Sequence, residues 1–196
     1  MRVRNLFIAT KNFGKISEFK RMLLPSGLKI LSIGDGEVLD VEETGETFLE
    51  NARIKAEAAK FFVNDATVVV GDDSGLCVAA MGGRPGIHSA RYANGDFASA
   101  MDRILFDLQG MDRQNRGACN FCALHAIGPN LSGAFRGEVH GTIAQFRRGN
   151  GMGYDPIFIP DGEERTFGEM AGEEKDRISH RGAAVRKLLN HLLRDS

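Results

Sequence analysis

The segment Thr67-Val68-Val69-Val70-Gly71-Asp72-Asp73-Ser74-Gly75 sets two acidic residues directly behind a β-branched apolar run. Val68 to Val70 have the character of a strand buried on both faces, as strands of parallel sheets are. The strand, Thr67–Val70, is expected to end in Gly71-Asp72-Asp73-Ser74-Gly75, which sets the acids at its carboxyl end. Ligand sites of open α/β sheets gather at the carboxyl ends of strands. Neighbouring residues there diverge, so one carboxylate can hold a hard cation such as Mg²⁺ while the other faces a water. The plainer alternative is a tight Asp-Ser-Gly turn.

Outward from this segment, strands and helices interleave. Leu6-Phe7-Ile8-Ala9 reads as a second buried strand, followed by the polar turn Thr10 to Lys15. Ile16, Phe19, Leu23 and Leu24 then recur at helical spacing, and Pro25-Ser26-Gly27 ends that helix. Lys29–Ser32 is a short strand, and Gly34 to Gly45 a turn-rich segment carrying Asp35, Glu37, Asp40, Glu42 and Glu43. Thr47-Phe48-Leu49-Glu50 has capping-box spacing, with Leu49, Ala52, Ala56 and Ala59 on one face of the helix behind it. Ala98, Met101, Ile104, Leu105 and Leu108 mark another helix. Arg116 to Phe146 is strand-like and broken at Gly128-Pro129-Asn130, which reads as a hairpin. Gly149 to Gly153 is a glycine-rich loop ahead of Ile157-Phe158-Ile159. Val185, Leu188, Leu189, Leu192 and Leu193 share one face of a C-terminal helix. The pattern predicts a mixed sheet with helices packed on it.

The 196 residues allow one domain or two small lobes, and 42% hydrophobic with 26% charged residues exclude a disordered or collagen-like chain. A chain of this length buries roughly 70% of its unfolded surface, enough for a core without disulfides. Lys and Arg number 25 against 26 Asp and Glu, so no basic surplus favours nucleic acid. No run approaches the roughly 18 apolar residues of a membrane span. Three cysteines, an odd number, fit reduced thiols in a cytoplasmic protein.

Three further blocks carry chemistry. Thr10-Lys11-Asn12-Phe13-Gly14-Lys15 is a strand-to-helix junction, where free N–H groups and the positive helix end favour phosphate. It is not a Walker A loop, because Ile16 follows Lys15 and the earlier glycine is missing. Glu42, Glu43, Glu46 and Glu50 are a solvated acidic stretch unless Glu43 meets Asp73 across a cleft, which would also bring Lys55 near. Glu173-Glu174-Lys175 and Ile178-Ser179-His180-Arg181-Gly182, read together as the start of the last helix, are rich in donors suited to anionic or carbonyl oxygens. Cys119-Asn120-Phe121-Cys122 lies in a predicted strand, where i and i+3 face apart, so it reads as inert thiols and not as zinc ligands. His88, His125, His140 and His191 show no ligand spacing.

These blocks, in this order, resemble the inosine triphosphate pyrophosphatase family. The matching pieces are Ala9 to Glu18, Glu42 to Gly45, Phe48 to Ala52, Asp72 to Leu76, Gly82 to Ile87, Ser89 to Tyr92, Gly151 to Phe158, Glu173 to Lys175 and Ile178 to Gly182. The resemblance implies a single catalytic domain over residues 1–196, with a long curled mixed sheet, flanking helices in two lobes and the active site in the central cleft. It implies Mg²⁺-dependent hydrolysis of ITP, dITP and XTP to the monophosphate and pyrophosphate by a homodimer. By position, Thr10, Lys11, Asn12, Phe13, Gly14 and Lys15 would hold the triphosphate, with Lys55 assisting and Ser74 at the substrate. Glu43 and Asp73 would bind the metal, with Asp72 nearby, and Asp73 would accept the proton of the attacking water. Met152, Gly153, Tyr154, Asp155, Lys175, His180 and Arg181 would line the base pocket. Arg181 and similar groups would donate to a 6-keto oxygen and leave adenine unmatched, at about 1–3 kcal/mol per unmet buried group.

Two positions depart from the family pattern. Lys11 stands where many members have glycine, which strains the backbone if that position needs positive φ. Met152 replaces a usual phenylalanine and loses an aromatic stacking face. The competing readings are a pyrophosphatase for other modified nucleotides, such as pyrimidines, and a non-catalytic nucleotide-binding protein. Base preference separates the first; absence of turnover despite binding would establish the second.

Overall fold

The computed structural model describes residues 3–32, 41–128 and 131–194. Six strands form one mixed sheet in the order β2-β1-β3-β4-β5-β6. The strands are β1 (Asn5–Ala9), β2 (Lys29–Ser32), β3 (Thr67–Val78), β4 (Gly117–Gly128), β5 (Leu131–Ile143) and β6 (Phe158–Pro160). The helices are α1 (Phe13–Leu23), α2 (Phe48–Lys60), α3 (Phe97–Asp107), α4 (Gly172–Ile178) and α5 (His180–Arg194). β1 runs parallel to both β2 and β3, with Leu6 beside Val68 and Ala9 beside Gly71. β5 and β6 are antiparallel. Residues 129–130 of the expected hairpin turn lie outside the described residues. Neighbouring strands separated by so short a connection can pair only antiparallel, and Ile143 N–H donates to the Arg116 carbonyl at 2.9 Å in keeping with that.

The chain divides into two compact units. The first comprises Met1–Asp73, Cys122–Gly137 and Arg181–Ser196. Its strands β1 and β3 are covered on both faces, which explains their unbroken apolar runs. Leu6, Ile8, Val68 and Val70 point to one face and pack with Phe19 and Leu23 of α1 and Val185 and Leu188 of α5. Phe7, Ala9 and Val69 point to the other and pack with Ala56 and Ala59 of α2. The helix signals in the sequence are realised here. Asn12 caps α1, Gly27 adopts φ 70° just past the turn that closes it, and Thr47 and Glu50 form the capping box of α2. Leu24 and Leu193, expected on apolar helix faces, are exposed.

The second unit comprises Ser74–Phe121 and Glu138–His180. Its core joins Leu76 and Val78 of β3 to Met101, Ile104 and Leu108 of the α3 region, with Ile143, Ile157, Phe158 and Phe167. Arg116 is buried here but satisfied, since its guanidinium donates to the carbonyls of Leu108, Ile143 and Ala144.

Two elements differ from expectation. β3 does not end at Gly71 but continues as strand to Val78, carrying Asp72 to Gly75 within it. The block Glu173 to Arg181 is not one helix start: α4 ends at Ile178, Ser179 is extended (φ -74°, ψ 158°), and α5 begins at His180.

Candidate active site

Because β3 remains a strand through the acidic pair, its period of two decides where the carboxylates go. Asp72 continues the face of Val68 and Val70, and Asp73 continues the face of Val69 and Gly71. The two acids therefore stand on opposite sides of the sheet, Asp72 toward α1 and α5 and Asp73 toward α2.

Asp72 is fully buried. Its carboxylate accepts from Arg181 Nε of α5 at 3.0 Å and is ion-paired with Lys15 of α1. The Cys122 thiol donates to it at 3.4 Å. Arg181, 1% exposed, also pairs with Glu18 of α1. Burial works against the charged form of Asp72, but the Arg181 and Lys15 cations override it and hold the carboxyl far below the usual range. Burial likewise opposes the Arg181 charge, and Asp72 and Glu18 outweigh it. A buried charge of this kind persists only with such partners.

On the other face, Lys55 of α2 places its ammonium 2.8 Å from Asp73 Oδ1 and 2.9 Å from Glu43 Oε1. Asn51 Nδ2 donates to Asp73 Oδ2 at 3.4 Å, while Asn51 Oδ1 accepts from Gly45 N–H at 2.9 Å and so ties the Glu43 loop to the helix. Burial raises the Asp73 pKa above its ordinary value despite Lys55 and Lys15, and Glu43 adds to the rise. Burial lowers the Lys55 pKa, but the two carboxylates more than restore it. Gly71 makes this face possible. A Cβ there would stand 2.0 Å from the Ala52 carbonyl oxygen, so only glycine lets α2 lie this close to β3.

The Thr10 to Lys15 turn joins β1 to α1 in the same unit. Asn12 N–H donates to Thr10 Oγ1 at 3.2 Å, and Asn12 Oδ1 accepts from Lys15 N–H at 3.1 Å. Among described non-glycine residues only Ala93 and Asn94 have positive φ. Lys11 is therefore unstrained, and its charge stays beside the turn. Phe13 is exposed and Gly14 partly buried.

The second unit holds the remaining predicted residues, apart from Arg181. Asp155 is buried and accepts from Lys175 Nζ at 2.5 Å and from Met152 N–H at 2.9 Å. Gly151 has φ 153°, and a Cβ there would lie 2.6 Å from Asp155 Cβ, which accounts for that loop glycine. Gly153 has φ 62°. Tyr154 O–H donates to the Ser89 carbonyl at 2.9 Å, and its ring meets Phe97 edge-on at 5.3 Å. His180 is buried and Ser74 partly buried.

Within the first unit the fold thus gathers Lys15, Glu43, Lys55, Asp72, Asp73 and Arg181. Arg181, expected at a base, is sealed onto Asp72 and Glu18. Three participants carried no site role in the sequence reading: Glu18, Asn51 and Cys122, the last read as an inert thiol. Glu18 had no distinguishing signal, since helix spacing sets it about 100° around from Phe19 and away from the Ile16–Leu23 face. Asn51 and Cys122 had none, since both act across elements.

These features define an α/β protein whose acidic pair on β3 is met by basic side chains on both faces of the sheet. The Ham1 family model matches residues 6–191, and the chain belongs to that family. It is 42% identical to the dITP/XTP pyrophosphatase of Bacillus subtilis over 95% of this chain and 96% of that one. Identity to the dITP/XTP pyrophosphatase of Geobacillus kaustophilus is 43%, over 95% and 93%. The solved Staphylococcus aureus Ham1 protein superposes with a TM-score of 0.82 at 38% identity, covering 98% of this chain and 100% of that one.

Proposed function

We propose that this chain is a nucleoside triphosphate pyrophosphatase that cleaves dITP, ITP and XTP to the monophosphate and pyrophosphate. The observation carrying this is the convergence of Glu43 and Asp73 on one cationic atom, Lys55 Nζ, on the α2 face of β3. Two carboxylates already closed around a cation are the hard-oxygen donor set that suits Mg²⁺. Glu43 and Asp73 would hold it. Asp72, on the opposite face and committed to Arg181 and Lys15, maintains the charge balance behind the strand instead. When bound, Mg²⁺ neutralises charge on the triphosphate oxygens.

The chain's own groups do the rest. Thr10 to Lys15 bind phosphate oxygens through the start of α1, with Lys11 and Lys15 adding charge, and Lys55 assists when displaced toward the substrate. Asp73 accepts the proton of the attacking water. Burial raises its proton affinity, which strengthens it as a base. Ser74 and the Met152 to Asp155 loop, with Lys175 and His180, contact the nucleoside. Arg181 holds Asp72 and Glu18; the base-reading role implied by the resemblance is measured by the inosine-to-adenosine turnover ratio of Arg181→Lys.

No described helix is long and apolar enough to cross a membrane. We further propose one catalytic domain over residues 1–196 acting as a cytoplasmic homodimer, with light scattering testing the assembly. The deciding experiment incubates the protein with Mg²⁺ and ITP, dITP, XTP, GTP, ATP or dTTP, then separates pyrophosphate from phosphate. Pyrophosphate from the first three is expected. Single-phosphate release, or preference for ATP or dTTP, overturns the proposal.

A further inference from the structure

Outside the Asp73 site, three metal-ligating side chains of different types meet on the second unit's part of the sheet. One ligand atom each from Cys119, Glu138 and His140 lies within 4.8 Å of the others. The β4–β5 pairing explains this. Ile143 N–H donates to the Arg116 backbone carbonyl. Counting three residues inward on each antiparallel strand sets Cys119 opposite His140, and Glu138 lies two residues from His140 on the same face. His140 Nε2 and Glu138 Oε1 are 3.8 Å apart, and both side chains are more than half exposed. Cys119, on β4, is partly buried. The 21 positions separating Cys119 from His140 hide the pair in the sequence, where neither shows ligand spacing.

We propose that Cys119, Glu138 and His140 form a binding site for one borderline divalent transition metal, Zn²⁺ in particular, distinct from the Mg²⁺ carboxylates. Thiolate, imidazole and carboxylate together are the mixed donor set of Zn²⁺ sites with three protein ligands and one solvent position. Bond lengths of about 2.0–2.3 Å put tetrahedral ligand atoms roughly 3.3–3.8 Å apart, a small closure from the separations seen. The ion would tie two strands of the second unit together. In binding, the Cys119 S–H bond breaks, a sulfur–metal bond forms and the proton passes to solvent. Burial, the Glu138 charge and Cys77 raise the Cys119 thiol to about 11, so metal and proton compete for the sulfur.

The test is a Co²⁺ titration of the full-length protein in excess Mg²⁺, read by absorption. One equivalent should bring up a near-ultraviolet thiolate-to-Co²⁺ charge-transfer band that Zn²⁺ abolishes. Co²⁺ held by Glu43 and Asp73 has no sulfur ligand and gives no such band. Cys119→Ser should lose the band, Cys77→Ser should keep it, and the exposed-site variant His140→Ala should weaken Co²⁺ binding at least about tenfold. No band in the wild-type protein, or a band retained in Cys119→Ser, overturns the proposal. So does unchanged affinity in His140→Ala.

Discussion

Gly71→Ala is the sharpest test of how α2 and β3 build the Asp73 face. The added Cβ would meet the Ala52 carbonyl oxygen at 2.0 Å, Ala56 N at 2.8 Å and the Ala52 carbonyl carbon at 3.0 Å. All three are backbone atoms of α2, so no rotamer change relieves the clash. Real Cβ contacts essentially never fall below 3.0 Å, so strand and helix must separate by about 1 Å. Overpacking typically costs about 1–3 kcal/mol, and backbone against backbone belongs at the top of that range. For a chain of this size about 3 kcal/mol lowers Tm by roughly 6–12 °C. The same displacement carries Asn51 and Lys55 away from Asp73. The Asn51 contact, already 3.4 Å and on a short side chain, is the first to go. A misplacement of about 1 Å in catalytic geometry costs on the order of 100-fold in rate. Gly117→Ala is the control, because a Cβ there meets nothing within 4 Å. Circular dichroism melting and kcat/KM for pyrophosphate release from dITP should both fall in Gly71→Ala and hold in Gly117→Ala. A Gly71→Ala protein with unchanged Tm and kcat/KM would refute the argument.

Asp73→Asn should abolish turnover while calorimetry still detects dITP, since the phosphate turn is untouched; comparable turnover would remove Asp73 as the base. Asp72→Asn leaves Arg181 and Lys15 partly uncompensated and should cost about 3–5 kcal/mol by urea unfolding at pH 7. Because the Asp72 pKa is lower in the fold than its ordinary 3.8, its contribution is present above that pH and fades as pH falls below it. The gap between wild type and Asp72→Asn should therefore be constant from pH 7 to about 5 and narrow below about 4; a gap that widens on acidification contradicts the assignment. Lys175→Met should alter the inosine-to-adenosine turnover ratio more than the overall rate, and an unchanged ratio would remove Lys175 from base recognition. Thr47→Ala should cost about 1 kcal/mol through loss of the α2 cap, measured by thermal melting.

Much of the fold was legible because its determinants are local. The β-branched run of β3, the apolar run of β1 and the Thr47–Glu50 box each act within a few residues. The divergence of the two acids was also legible, since it follows from strand periodicity alone. The strand's true length was not. Asp72 and Asp73 look like a turn because charged residues rarely enter a two-sided strand. Glu18 and Asn51 went unassigned for a related reason: their partners lie 163 and 22 positions away.

By itself, then, the sequence determined the order of most strands and helices and where α2 begins, and it singled out Glu43, Asp73 and Lys15 as candidates. Tertiary structure decided that β3 runs on through Asp72 and Asp73. A bare carboxylate in a buried strand is too costly to persist. Only packing brings the compensating cation, Arg181, from 109 positions away, and only packing sets α2 against Gly71 so that Lys55 can reach the other acid.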